Sequence, residues 1–190
     1  MLRMMLLIAG LFVALPVIVT PVQAAEIEAV MLAERINVDG NTLLLNGAGV
    51  RSKFFFDIYV GALYLPEKVQ QAAHVLLFPA PARVSMTILY KEVAAEKLIH
   101  GWQRGFEKNQ DDASMQALQD RLRAFNAMFG DAQRGDVLVF DFLSDGSTRV
   151  IINNKQKSEI PGVDFQRALL SVWLGENPAD DDLKQALLGR

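Results

Sequence analysis

Residues 50–65, VRSKFFFDIYVGALYL, are dense in aromatic and β-branched side chains and end at Pro66. Such a run suits a pleated, largely buried surface and predicts one long strand, bent near Gly61. Side chains of a strand alternate between two faces. The even positions, Ser52, Phe54, Phe56, Ile58, Val60, Ala62 and Tyr64, make an almost wholly apolar face. The odd positions, from Arg51, Lys53, Phe55, Asp57 and Tyr59 to Gly61, Leu63 and Leu65, make a mixed one. That face sets a guanidinium, an ammonium and a phenol beside apolar groups, which suits an amphipathic ligand with an anionic head. The rival reading is a solvated face on which Arg51 or Lys53 pairs with Asp57. Arg51 and Tyr59 share parity but stand about 26 Å apart on a straight strand, so a bend at the triple Phe, or a bulge, is needed for both to touch one small ligand.

The rest of the chain reads as one domain without repeats or long linkers. Glu34–Val38 and Thr42–Leu45 flank the hairpin signal Asp39-Gly40, and Asn46-Gly47-Ala48-Gly49 interrupts the strand pattern. Glu67–Leu77 suits a short helix. Arg83–Tyr90 alternates cleanly, with Val84, Met86 and Ile88 on one face. Two helices follow. Glu92–Lys108 carries Leu98, Trp102 and Phe106 in one stripe, and Ser114–Phe129, with Ser114 as N-cap, carries Leu118, Leu122 and Phe125. Val137–Leu143 and Thr148–Asn153 form a second hairpin around Asp145-Gly146. Asp164 and Asp180 cap two closing helices. Strands, helices, hairpin, helices in that order specify α+β, an antiparallel sheet with helices packed on one side.

Residues 1–24 have the pattern of a secretory leader: Arg3, an apolar run from Met4 to Val19 broken by Pro16, then Val22-Gln23-Ala24 as a small-x-small cleavage site. The apolar run is short for a membrane span, so removal is expected, leaving a domain over 25–190 with no stable span and a periplasmic or secreted location. The chain has no Cys, which excludes disulfides, thiol nucleophiles and a lipoprotein anchor. Its net charge of −3 argues against nucleic-acid binding.

Candidate chemistry is sparse. There is no G-x-S-x-G elbow and no Walker loop, and Gly47-Ala48-Gly49 leads into a strand and lacks the third Gly that a dinucleotide loop needs. His74 and His100 match no metal spacing, and Asp180-Asp181-Asp182 reads as a helix start favoured by negative charge rather than a calcium site. Trp102 and Trp173 read as core. No metal and no cofactor are expected.

LNGAGVRSKFFFDIYVGALYL resembles the hallmark segment of the chalcone isomerase-like family, in which a Gly-Ala-Gly-x-Arg turn leads into a long strand ending in Tyr-Leu. IPGVDFQRALLSVWLGENPADDDLKQALLG is similar to that family's closing helices. The resemblance runs from about Val38 to Leu188 and lies with the bacterial exported branch. It implies an open-faced β-sandwich, a large antiparallel sheet under a layer of helices. Arg51 matches the Arg that, in plant chalcone isomerases, stabilises negative charge as the flavanone ring closes. The strand Thr of those enzymes aligns with Tyr59 and the helix Thr with Val172, which cannot donate a hydrogen bond. Their helix Tyr and Asn have no clear counterparts in Glu92–Gln103. An Arg and a Tyr on one strand face instead resemble the fatty-acid-binding members, where the pair holds a carboxylate at the mouth of an apolar cavity.

The resemblance thus implies a non-catalytic protein that binds a small amphipathic ligand, a fatty acid or an aromatic acid, through Arg51 and an apolar cavity, with Tyr59 and Val172 as further contacts. Two alternatives stand beside it. One is an isomerase (intramolecular lyase) acting on an unsaturated carbonyl compound, with Arg51 catalytic. The other is a periplasmic module that binds a protein partner.

Overall fold

The computed structural model describes residues 24–79 and 81–190. The predicted leader falls outside them, except that Ala24 opens the first strand. The chain starts with a hairpin, β1 (Ala24–Ile27) and β2 (Val30–Ala33), turned by Glu28 and Ala29 at positive φ. Next come β3 (Arg35–Val38) and β4 (Asn41–Lys53), joined at Asp39-Gly40 with φ of 51° and 80°. This is the expected hairpin turn with both central residues left-handed. Then follow β5 (Phe56–Leu65), α1 (Ala72–Leu77), β6 (Ala82–Ile88) and the short β7 (Glu92–Val93). Two helices, α2 (Ala95–Asn109) and α3 (Asp112–Asn126), lead to β8 (Ala132–Gln133). The chain ends with β9 (Val137–Phe142), β10 (Thr148–Ile152), β11 (Lys155–Ile160), α4 (Val163–Leu174) and α5 (Asp181–Leu187).

Seven strands form one sheet in the order β11-β10-β9-β6-β5-β4-β3, antiparallel throughout. The architecture is the expected α+β sandwich of a large sheet and a helical layer. On the helix side, Tyr59, Leu63 and Leu65 of β5 and Val84, Met86 and Ile88 of β6 join Leu98, Trp102, Phe106, Leu118, Leu122 and Phe125 in one core. The opposite face is not bare. Val60, Ala62 and Tyr64 pack there with Leu43, Leu32 and Val38, and Ala25, Ile27 and Val30 of the first hairpin close over them. Burial on both faces explains why β5 reads as an unbroken apolar run rather than an alternating one.

Several sequence expectations are corrected. Residues 50–65 are not one bent strand: β4 ends at Lys53, the chain reverses at Phe54-Phe55, and β5 returns. Phe54 takes a φ of 58°, at a turn position normally given to Gly, so no turn residue announced it. Asn46–Gly49 does not interrupt the strand. Asn46 is a bulge residue within β4, and its buried amide ties Val69 N–H (2.7 Å), Val69 C=O (2.9 Å) and Leu187 C=O (2.8 Å) together. The cap of α3 is Asp111, whose carboxylate accepts from the Ser114 N–H at 2.7 Å. Asp164 lies inside the first turn of α4 and is clasped by Arg121 at 2.6 and 2.7 Å. Asp180 caps α5 as expected, accepting from Leu183 N–H. β11 has no apolar alternation to announce it, because its KQKSEI is exposed until Ile160; it is an edge strand kept polar.

Candidate functional site

The reversal at Phe54-Phe55 changes the geometry of the mixed face. Arg51 and Tyr59, far apart on a single strand, become directly opposed cross-strand partners. Opposed residues of an antiparallel pair project to the same side. The guanidinium carbon of Arg51 accordingly sits 5.8 Å from the centroid of the Tyr59 ring, a cation–π approach. The needed bend is thus a full hairpin.

Tyr59 is 4% exposed, and its phenol oxygen accepts a hydrogen bond from the Trp173 indole N–H at 3.0 Å. Burial raises the phenol above its ordinary value of 10.0; Arg51 and the Trp173 bond oppose that rise, and the Asp180 carboxylate adds to it. The hydroxyl therefore keeps its proton at neutral pH and can donate it. Arg51 is half-buried, and its Nε is buried without a hydrogen-bond partner. Asp57, the expected partner, instead accepts from Ser52 Oγ at 2.6 Å. Among the described residues the ion pairs are Arg83–Asp141, Arg121–Asp164, Arg123–Asp120 and Arg149–Glu159, and none involves Arg51. A buried guanidinium N–H beside a protonated phenol is a pair of donors suited to an anionic oxygen, as carboxylate or as enolate. Lys53, by contrast, is exposed beside the tip of the hairpin.

The neighbouring helices reach the site because the strands are stripped of side chains beneath them. A Cβ on Gly47 would lie 2.1 Å from the Ala186 carbonyl oxygen, and one on Gly49 would lie 2.6 Å from Ala186 Cβ. Gly47 and Gly49, which suggested a fragment of a nucleotide loop, are the bed on which α5 lies. With α5 come Leu183, against Gly61, and Asp180, whose charge is felt at Tyr59. Sequence reasoning placed Trp173 in the core, where it is, but missed that its N–H orients the phenol.

Val172 and the apolar cavity do not take the expected form. Val172 is buried against α2, where a Cβ on Gly105 would meet its methyls at 2.8 and 2.9 Å. It packs one helix on another and faces no open pocket. The space beside Tyr59 is filled by rings: Trp173 lies 5.7 Å from both Trp102 and Phe140, and Trp102 lies 5.5 Å from Phe140 and 5.7 Å from Phe125. Two clefts open elsewhere on the described surface. One of about 480 Å³ is bordered by Leu76, Lys108, Gln110, Arg167 and Ser171, and the other of about 570 Å³ by Gln103, Glu107, Met115 and Arg123. His74 and His100 are exposed, and among the described residues no group of three or more His, Cys, Asp or Glu could hold a metal ion. No helix among the described residues is long and apolar enough to cross a membrane.

Comparison with known proteins agrees with this architecture. A crystal structure of an Arabidopsis thaliana fatty-acid binding protein superposes with a TM-score of 0.66 at 13% identity, covering 87% of this chain and 96% of that one. At that identity the likeness shows the fold alone. Among curated proteins none matches the chain. The model of the chalcone isomerase-like family matches residues 24–189, from the first strand to two residues past α5. A match of that extent, on a sheet and helical layer of the kind the motifs implied, shows that the chain belongs to the chalcone isomerase-like family.

Proposed function

We propose that this chalcone isomerase-like protein is a non-catalytic binder of small amphipathic acids, a fatty acid or an aromatic acid, with Arg51 and Tyr59 receiving the carboxylate. One observation carries the reading: Arg51 Nε is buried with no partner, beside a phenol that retains its proton. The fold shared with a fatty-acid binding protein supports it. The leader pattern of residues 1–24 supports a periplasmic or secreted location as part of this reading. The rings of Tyr59 and Trp173 are packed together, so admitting an apolar tail requires them to move.

Titration with fatty and aromatic acids, followed by native mass spectrometry and by Trp fluorescence, tests this. A one-to-one complex with altered Trp emission is expected. Arg51→Ala should weaken it about 10- to 100-fold, the worth of a charge-assisted hydrogen bond. Absence of any bound acid, or equal binding by Arg51→Ala, would overturn the reading. The same two donors also suit a developing enolate, which keeps isomerisation of an unsaturated carbonyl compound as a second reading. Turnover of chalcones or enones that vanishes in Arg51→Ala would favour it over binding alone.

A further inference from the structure

The tip of the β4–β5 hairpin is the most apolar exposed feature of the described surface. Phe55 is 99% exposed, Phe54 86% and Phe56 55%, three phenylalanines in succession. The tip stands clear of its neighbours. On one side β3 pairs with β4 only as far as Leu44, and on the other β6 pairs with β5 only as far as Tyr59. The Leu89 and Tyr90 N–H groups still reach the Ile58 carbonyl, so Phe55 projects about 10 Å beyond the last flanking backbone contact, at about 3.3 Å per residue. The stem is held firmly by the Ser52–Asp57 hydrogen bond and by an edge-on contact of Phe56 with Tyr90, centroids 5.5 Å apart.

Folding does not explain this arrangement. Phe54 occupies a left-handed backbone position that Gly or Asn would fill with less strain, and its ring touches no core. The charges around the tip favour an anionic surface. Arg51, Lys53 and Lys91, the last next to Tyr90, border it against two carboxylates, Asp57 and Glu92, whose hydrogen-bond partners are neutral, a formal balance of +1. This cationic collar occurs in a chain of net charge −3. The shape also selects the partner. Consecutive turn residues spread their rings in different directions from a convex finger, which a fluid apolar layer accepts and a matched protein groove would not need. We propose that the Phe54–Phe56 tip inserts into the interfacial layer of a lipid bilayer carrying anionic headgroups, with Lys53 and Lys91 at headgroup level. A 10 Å projection matches the depth of about 5–10 Å reached by interfacial apolar groups. This goes beyond ligand binding at Arg51, and neither claim needs the other.

Because the chain lacks Cys, single cysteines can carry an environment-sensitive fluorophore. One is placed at Phe55→Cys and a control at exposed Glu67→Cys, past the other end of β5. The protein is used as isolated, with vesicles of phosphatidylethanolamine and phosphatidylglycerol, or of phosphatidylcholine alone. The label at 55 should shift to the blue with anionic vesicles while the label at 67 does not, a contrast that leader-driven binding would not produce. In the labelled Phe55→Cys background, Phe54→Ser should weaken binding about tenfold, the worth of one buried apolar side chain. Lys53→Gln with Lys91→Gln should weaken it several-fold per cation. Equal shifts at both positions, no shift at 55, or a tip-dependent dimer in size exclusion without vesicle binding would each overturn the proposal. Acid binding measured on the same variants distinguishes this failure from failure of the Arg51 reading.

Discussion

Replacing Tyr59 with Phe isolates one hydroxyl in the candidate site. The ring stays, so packing against Leu183 and the aromatic core is retained, but the Trp173 N–H loses its acceptor. Trp173 is 1% exposed, so water cannot take the hydroxyl's place. A buried donor left unsatisfied costs about 1–3 kcal/mol. For a chain of this size each kcal/mol moves the melting temperature by about 2–4 °C, so Tm should fall by about 2–12 °C. Alkaline pH gives a second, signed readout. The folded phenol ionises above its ordinary 10.0, whereas the unfolded chain ionises at that value. The stability Tyr59 contributes is therefore complete below about pH 10 and is lost as pH rises through the higher folded value. Tyr59→Phe should remove that share of the alkaline loss and leave the part due to Tyr64, which burial also raises. Chemical denaturation of wild type, Tyr59→Phe, Trp173→Phe and the double variant, at neutral pH and above pH 10, is the assay. The cycle should show a coupling of about 1 kcal/mol between the two positions. A Tyr59→Phe protein as stable as wild type, with no coupling to Trp173, would refute the account of an oriented phenol.

Other perturbations follow from the same geometry. Arg83→Ala strands the Asp141 carboxylate, 1% exposed and held by the guanidinium at 2.5 and 2.8 Å, and should cost about 3–5 kcal/mol in denaturant unfolding. Gly47→Ala drives a methyl into the Ala186 carbonyl and should cost about 1–3 kcal/mol or more, with hydrogen exchange rising first across residues 181–187. Phe54→Asn relieves a left-handed residue and should leave stability unchanged or raise it by about 1 kcal/mol in thermal melts. A loss of stability there would mean that the Phe tip serves the fold after all.

Periodicity and turn chemistry made much of this fold legible. The alternation of Arg83–Tyr90, the four-residue stripes of α2 and α3, and the Asp-Gly turns at 39–40 and 145–146 are local patterns that tertiary contacts did not override. They were enough for an antiparallel sheet under helices, and the segments 45–65 and 160–189 together carried the resemblance to the family. The pairing of Arg51 with Tyr59 was not legible, because a reversal at Phe54-Phe55 uses residues whose preferences point to continued strand. Local propensity there conflicts with the ladder that β5 makes with β4 and β6, and the ladder prevails. The roles of Gly47, Gly49 and Val172 were hidden for another reason: each is defined by what lies above it, α5 or α2, from distant parts of the chain. Sequence determined which groups are available, two cations, a phenol and three phenylalanines on one segment. Only the tertiary structure decided that Arg51 meets the phenol across two strands without an ion-pair partner of its own, and that the phenylalanines stand out in solvent, because cross-strand register depends on contacts that no window of sequence contains.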